Sequence, residues 1–419
     1  MVAYPFCPSW AAVGEQVTAG YAAFFFSLYG TRLSVIALAS GRFLPSEFGR
    51  PSDVQSAKYE FRPGDVLYGK LRPYLDKAVL AKDQGICTTE LLVLRPKQGV
   101  DPRFLIGVVH SPDFVAHAIE GTTPSQHPRT SWAHISEFRL PVFTSSDMSS
   151  IANVIWKVHH ALLANEAAAD RCSVLKRAIM QAVFAKGLRD EQQQITEIGR
   201  LPRGWAIVPL GSLGRVGNGS TPKRTTLSYW QGGSIPWLNS SRMYDREIVS
   251  SDQCVTDLAL RECHLPIVKP GAVLMAITGQ GKTLGHCAVL HVDATVSQHV
   301  AYIQLDESVA VPSYVRGYLE TQYEALRKIA SGGGSTKGAL TCAYLRSVPI
   351  PLPKQDEQEE IAALLDAIDR KLNAYRRKAA AIERLFKALL RDLFAGRMCV
   401  RDLDPAAASA AAIPAEGAL

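Results

Sequence analysis

What the chain lacks narrows it first. None of its eight cysteines (Cys7, Cys87, Cys172, Cys254, Cys263, Cys287, Cys342, Cys399) forms a C-x-x-C pair, and the nearest cluster, Cys254, Cys263 and His264, has no common zinc spacing. They are expected to be reduced thiols of a cytoplasmic protein that holds no metal. No apolar run is long enough to span a bilayer; Tyr21 to Tyr29 is short and follows Glu15 rather than a basic segment, so it suits neither a membrane helix nor a signal peptide. No G-x-G-x-x-G follows a strand, no N-P-P-Y or D-P-P-Y is present to hold an amino group for methyl transfer, and no acidic pair with a lysine suggests metal-dependent strand cleavage. The histidines are scattered, and His159-His160 is expected on a solvated helix face. Charge of either sign is not in large excess: 46 basic against 39 acidic residues leave a net +7, which admits an anionic partner such as DNA without requiring one.

What is present is a duplication. Residues 101 to 185 align without a gap on residues 311 to 395, so that Phe104 falls on Tyr314, Ile135 on Leu345, Pro141 on Pro351, Ile151 on Ile361 and Phe184 on Phe394, all 210 residues apart. Upstream, PGDVL at Pro63 and PGAVL at Pro270 stand 207 apart, and the offset reaches 210 by Ala78-Val79-Leu80 and Ala288-Val289-Leu290. The second copy therefore carries three extra residues between these anchors. Two similar units in one chain of 419 residues imply two domains and pseudo-twofold symmetry. Two similar but unequal faces suit a target with two similar but unequal parts.

From Thr31 to Pro141 the sequence is strand-like, with short runs such as Asp65 to Tyr68 and Glu90 to Leu94 bounded by Pro and Gly. From Asp147 to Lys186 proline vanishes, and Ile151, Ile155, Val158, Leu162, Asn165, Ala169 and Cys172 step by four and three, followed by a second three to Leu175, then Ile179 and Ala182. The second copy repeats these steps through Ile361, Leu365, Ile368, Leu372, Tyr375, Ala379 and Ile382, with the same short step to Leu385, then Leu389. A shared irregularity predicts two helices of about 38 residues, roughly 55 Å long, packed on each other. The expected organisation is an atypical N-terminal extension (1–30), a first globular domain (31–145), a long helix (146–187), a polar linker (188–202), a second globular domain (203–354), a second long helix (355–397) and a disordered Ala-rich tail (398–419).

The loops carry the candidate chemistry. Ala276-Ile277-Thr278-Gly279-Gln280-Gly281-Lys282-Thr283 differs from a phosphate-binding loop only at its first residue, but Leu284 to Leu290 continues as a strand where such a loop needs a helix. It is expected to be a hairpin loop, with Thr278, Gln280, Lys282 and Thr283 touching bases or phosphates rather than a nucleotide cofactor. The same place in the first copy holds Lys70, Arg72, Tyr74 and Lys77, basic and aromatic together. A second shared loop gives Thr122, Thr123, Ser125, Gln126, His127 and Arg129 in one copy and Ser335, Thr336 and Lys337 in the other. Ser220, Thr221, Lys223 and Arg224, then Asn239, Ser240 and Arg242, are the remaining polar candidates, with Trp237 between them expected in the core.

Leu201-Pro202-Arg203-Gly204-Trp205 with Pro209-Leu210-Gly211, Gly219-Ser220-Thr221-Pro222, Ile235-Pro236-Trp237, YGKLRPYLDK from Tyr68 and Ser297-Gln298-His299 are each weak signals. Together with Pro349 to Pro353, Gln355, Gln358 and the duplication, they make the chain resemble the specificity subunits of type I restriction-modification systems, from roughly Thr31 to Arg397. The resemblance implies an α+β fold: two mostly-β target recognition domains in pseudo-twofold arrangement, joined by two long antiparallel helices that form a coiled-coil-like spacer. It implies that each domain reads half of an asymmetric bipartite DNA site. The partners it implies are double-stranded DNA, two modification methyltransferase subunits and a restriction/translocase subunit. S-adenosylmethionine, ATP and Mg would sit on those partners, with no cofactor, metal or catalytic residue in this chain. The alternatives are a DNA-binding scaffold of another defence system, without methylation, and an endonuclease or methyltransferase in its own right; the missing motifs weigh against the latter.

Overall fold

A computed structural model describes residues 58–122, 125–189, 191–279, 282–331 and 339–398, with a few short strand segments before residue 58. Apart from those strand segments, the expected N-terminal extension and the start of the first domain lie outside the described residues, as does all but the first residue of the expected tail. The chain divides into two compact units, one of Met1–Ala168 with Tyr375–Leu419 and one of Ala169–Ala374. The sequence pattern sets each long helix apart as its own segment; the packing divides both helices instead.

The first unit is built on an antiparallel sheet in the order β1-β6-β3-β4, where β1 is Gly14–Gln16, β3 Val66–Gly69, β4 Ala78–Leu80 and β6 Leu91–Pro96. Between and beside them β2 (Lys58–Phe61) pairs with β5 (Gly85–Thr88). Strand β3 is buried at every position because alternate side chains enter two different cores. Val66 and Tyr68 join the helices α1 (Pro102–Val109) and α2 (Pro112–Glu120), whereas Leu67 packs with Phe61, Cys87 and Val93 on the other face. Asp101 caps α1 by accepting a hydrogen bond from the Arg103 amide at 2.8 Å, Ser111 caps α2, and Ser131 caps the short α3 (Trp132–Ile135). The long helix α4 (Ser145–Lys186) opens on a reciprocal box: Thr144 Oγ accepts from the Asp147 amide and the Asp147 carboxylate from the Thr144 amide, both at 3.1 Å.

After α4 the polar stretch expected to be a linker instead forms a hairpin, β7 (Gln193–Thr196) against β8 (Gly199–Pro202). Gly199 at φ 114° supplies the backbone that its turn requires. The second unit continues through β9 (Ala206–Pro209), β10 (Gly214–Asn218), β11 (Ile235–Leu238), β12 (Glu247–Ile248), β13 (Cys254–Val255), α5 (Asp257–Glu262), β14 (Val273–Ala276), β15 (Cys287–Leu290), β16 (Thr295–Val296) and β17 (Val300–Leu305). Its main sheet runs β10-β17-β14-β15-β12. Helices α6 (Pro312–Thr321), α7 (Tyr323–Ser331) and α8 (Cys342–Ser347), strand β18 (Pro349–Leu352, paired with β9) and the long α9 (Gln355–Phe394) complete it. Strands β17, β14 and β15 stand where β6, β3 and β4 stand in the first copy, and α6 to α9 repeat α1 to α4, so the duplication is one of topology as well as sequence.

Each unit takes a long-helix segment from both copies. In the first, Ile151, Ala152 and Ile155 of α4 share a core with Leu389, Leu390, Leu393 and Phe394 of α9, and His159 stacks on Phe386 at 5.3 Å. In the second, Ile361, Ala362 and Leu365 meet Met180, Val183 and Phe184, and Cys172 Sγ donates to the Ile368 carbonyl at 3.8 Å. Rising numbers on one helix meet falling numbers on the other, so the pairing is antiparallel within each unit. Two glycines make room for it. A Cβ on Gly107 of α1 would lie 2.2 Å from Ile155 Cδ1 and 3.0 Å from the Phe394 ring; one on Gly317 of α6 would lie 2.7 Å from Leu365 Cδ1 and 3.6 Å from the Phe184 ring.

Most of the expected stripe is buried or half-buried, including Val158, Leu162, Ile179, Ile368, Leu372 and Ile382. Leu175 and Leu385 correct that expectation: they are 54% and 51% exposed. Each lies 24 residues beyond the first stripe residue, and at 3.6 residues per turn that displaces it by roughly 120° from the starting face. A straight helix therefore turns these leucines outward, where only overwinding would keep them in the seam. His159 is likewise not on a solvated face, because Phe386 covers its ring. Between these positions lies a charged cluster that the stripe does not foresee. Buried Lys176 of α4, Arg316 of α6 and Asp369 of α9 meet Arg246, Glu320 and Asp366, with Lys176 at 2.6 Å from Glu320 and 3.0 Å from Asp369, Arg246 at 2.5 Å from Asp369, and Arg316 at 3.2 Å from Asp366. Three cations against three carboxylates leave the cluster neutral, as burial demands.

Candidate nucleic-acid interface

In the first unit the two shared loops meet. The return of β3 into the 70–77 loop places Leu71 in an antiparallel bridge with Arg129. The Arg72 amide donates to the Pro128 carbonyl at 2.8 Å, and the Thr130 amide to the Lys70 carbonyl at 3.2 Å. Arg72 and Asp76 both hold left-handed backbones, at φ 54° and 45°, which side chains other than glycine adopt only when neighbouring contacts hold them. The Arg72 guanidinium lies 3.4 Å from the Gln126 carbonyl and 3.5 Å from His127 Nδ1, and Tyr74 is 53% exposed. Burial, and then the Arg72 charge, push the Lys77 amine below its ordinary value, against the opposing charge of Glu90. Arg129 is held by Glu90 at 3.0 Å. Thr122, Ser125, Gln126 and His127 lie on the same loop with at least part of their surface open.

The second unit repeats this junction with other side chains. Thr278 bridges Ala339, and the Leu340 amide donates to the Ile277 carbonyl at 2.8 Å. Strands β14 and β15 pair antiparallel across residues 277–286, and the described residues of that loop open no helix at Lys282-Thr283. The backbone is that of a hairpin and not of a phosphate-binding loop. Lys282 is exposed; its carbonyl accepts from the Tyr323 hydroxyl at 2.5 Å, and Thr283 Oγ lies 3.1 Å from the Tyr244 hydroxyl. Thr123, Gln280, Ser335, Thr336 and Lys337 lie outside the described residues.

Three further segments converge beside Thr278. Gly219 sits so close to β16 that a Cβ there would fall 1.7 Å from the Val296 carbonyl oxygen, and the Ser220 amide donates to that oxygen at 3.1 Å. The close approach leaves Thr221 Oγ donating to Gln298 Oε1, while the Gln298 side-chain nitrogen lies 3.2 Å from His299 Nε2 and His299 Nδ1 lies 2.5 Å from Thr278 Oγ. Thr221, Gln298, His299 and Thr278 thus form one line of polar groups, with Gln298 and His299 exposed. The tripeptide Ser297-Gln298-His299 is visible in the sequence, but nothing in its spacing marks it as part of a surface; the contact comes from tertiary pairing.

Arg224 lies over Trp230 at 3.9 Å and Trp237 at 4.9 Å, and donates to Gln253 Oε1 at 2.7 Å. Trp237 is buried, and its indole N–H donates to the Ser220 carbonyl at 3.1 Å, so it serves as the floor under Arg224. Lys223 beside it is exposed. Asn239, Ser240 and Arg242 have other work. The Asn239 side chain accepts from the Ser241 amide at 3.0 Å, capping the turn that contains Ser240, and Arg242 is paired with Asp245 at 2.8 Å and Asp252 at 3.1 Å. Its charge is thereby largely spent within the chain. Among the described residues no group of His, Cys, Asp and Glu could hold a metal ion, the cysteines carry no disulfide, and no helix is long and apolar enough to cross a membrane.

Comparison with known proteins agrees with this geometry. Residues 202–384, the second copy, match the profile of the type I restriction modification DNA specificity domain. The chain is 29% identical over 203 residues to the type I restriction enzyme MjaIX specificity subunit of Methanocaldococcus jannaschii, which covers 48% of this chain and 46% of that one. It therefore spans about half the length of that relative. The putative type I restriction enzyme MjaX specificity subunit of the same organism is 22% identical over 358 residues, covering 82% of this chain and 81% of that one. The crystal structure of a type I restriction-modification S subunit from M. genitalium matches with a TM-score of 0.63 over 94% of this chain and 97% of that one; at 12% identity this is a likeness of fold alone.

Proposed function

We propose that the chain is a specificity subunit of the type I restriction-modification family it resembles, and that it reads an asymmetric bipartite DNA sequence, one half with each unit. The carrying observation is the repeated junction, Leu71 with Arg129 and Thr278 with Ala339. One scaffold presents two recognition loops side by side in both copies, with Lys70, Arg72 and Lys77 in the first and Thr278, His299, Gln298 and Thr221 in the second. Equal scaffolds with unequal side chains read unequal half-sites. The basic loop of the first unit draws phosphates and the polar line of the second offers donors and acceptors to base edges.

On this reading the chain is the non-catalytic subunit of a larger enzyme in the cytoplasm. The long helices fix the spacing of the half-sites and dock two methyltransferase subunits, and a restriction/translocase subunit joins them. S-adenosylmethionine, ATP and Mg belong to those partners, and the chemistry they supply is adenine methylation and DNA cleavage. Co-expression with the partner methyltransferase, followed by sequencing of methylated adenines, tests it. A single bipartite motif that disappears when this chain is deleted is expected; a stable complex that methylates no motif would overturn the proposal.

A further inference from the structure

The recognition loop of the first unit ends at Asp76, and α1 ends at His110. His110 Nδ1 lies 2.8 Å from Asp76 Oδ1, with the histidine side chain 9% exposed. Asp76 has a left-handed backbone, and so does Arg72 four residues before it, so the loop departs from relaxed geometry at both ends of its tip. Arg72 is held by its contacts to Pro128 and Gln126. At the other end the Asp76 carboxylate reaches across to His110.

The second unit builds this place differently. The Ala276 amide donates to the His286 carbonyl as the Gly69 amide does to the Lys77 carbonyl, so the strand pairing sets Gly285, at φ 90°, where Asp76 stands at 45°. A glycine adopts that backbone without support, whereas an aspartate there needs a contact to hold it.

We propose that Asp76 and His110 are positioning residues: they clasp the end of the recognition loop to the end of α1. This rests on the DNA-reading function proposed above. The clasp touches no base. It holds Lys70, Arg72 and Lys77 in the arrangement in which they face DNA, so removing it lowers affinity for the first half-site and leaves the second unchanged. Because attraction and not residue identity matters, a histidine at 76 facing an aspartate at 110 must hold the loop as well.

The test uses the full chain in complex with its methyltransferase, and duplexes in which one half-site or the other is scrambled. Asp76→Asn and His110→Gln are each expected to weaken binding to a duplex that keeps the first half-site by about tenfold, the scale of one charge-assisted hydrogen bond, with no change at the second. The double exchange Asp76→His with His110→Asp is expected to restore most of that affinity. Amide hydrogen exchange across residues 69–77 without DNA, faster in the single variants and slow again in the double exchange, reads the clasp separately. If the double exchange recovers neither affinity nor protection, or the single variants match the unaltered protein in both, the clasp is wrong. If the unaltered complex binds no duplex while the exchange pattern holds, it is the DNA-reading function that fails.

Discussion

Leu71 and Arg129 face each other across a single antiparallel bridge, and Thr278 and Ala339 repeat it in the second copy. The bridge brings together loops more than fifty residues apart in sequence, and it places Lys70 and Arg72 beside Gln126 and His127. Replacing Lys70 or Arg72 by Ala is expected to weaken binding to the first half-site alone. For each phosphate left without its cation, the slope of log affinity against log salt should fall by about one, which a salt titration by fluorescence anisotropy measures. Equal weakening at both half-sites would contradict the assignment of this loop to one of them.

Arg224 owes its position to two indoles and to Gln253. Arg224→Lys keeps the charge but removes the planar stacking, and Trp230→Ala removes the upper ring. Both are expected to weaken second-half-site binding, by a contribution on the order of 0.5–2 kcal/mol for the cation–π interaction. First-half-site binding, measured on the scrambled duplexes, should not change.

The two packing glycines predict unequal costs. A methyl on Gly317 meets the terminal methyl of Leu365, which can turn aside, and replacing a helical glycine by alanine returns about 1 kcal/mol. Gly317→Ala should therefore be close to neutral. A methyl on Gly107 meets both Ile155 and the rigid ring of Phe394, so the overpacking cost of about 1–3 kcal/mol prevails. Gly107→Ala should lower the denaturation midpoint of the first unit, seen by hydrogen exchange resolved along the chain.

The buried charges of the second unit have apolar or aromatic counterparts in the first: Arg316, Asp366, Asp369 and Lys176 correspond to Ile106, Trp156, His159 and Phe386. Lys176→Met alone would leave three carboxylates facing two cations in a buried cluster, at a cost of about 3–5 kcal/mol. Transferring the whole set from the first unit into the second should cost far less, since a buried ion cluster replaced together by packed groups of low charge is often neutral or stabilising. Comparing the two denaturation curves separates a cluster that stabilises from one that merely cannot be broken in part.

Burial alone would push the His110 imidazole down, but the Asp76 charge and hydrogen bond and the Ala78 backbone outweigh it and hold it above its ordinary value. Tyr68 is the other titratable group beside the pair; burial and the Asp76 charge keep its hydroxyl protonated. A histidine raised on folding contributes stability that is fully present below its unfolded value, near 6.5, and is lost as pH rises through the folded value. The stability difference between the unaltered protein and His110→Gln should therefore be largest under mildly acidic conditions and shrink as pH rises. A difference that grows with pH would show that His110 is held neutral.

Much of this organisation is written in local sequence. The repeat, the strands around Val66 and Val273, the paired helices and the hairpin at Thr278 follow from periodicity and turn chemistry, which act over a few residues. The stripe misleads at Leu175 and Leu385, where a heptad count overrides the pitch of a straight helix, and at Ala182, which is exposed. What stays hidden is set by pairing at long range. Lys176 and Arg316 read as surface cations until Asp369 is seen beside them, and Gln298 and His299 join Thr221 only because β16 and β17 carry them there. The hairpin at Gln193 to Pro202 is hidden for another reason: its residues are polar enough for a linker, and Gly199 is the one local sign of a turn.

The second unit is one uninterrupted stretch, Ala169–Ala374, whereas the first is assembled from both ends of the chain. A single genetic crossover pair within the two long helices would exchange that stretch whole, with its own sheet, loops and ion cluster, for the corresponding stretch of a relative. Each partner segment of α4 and α9 would travel with the core it packs against. Recombination at those two places would replace one complete unit in a single step and leave the sequence of the other untouched.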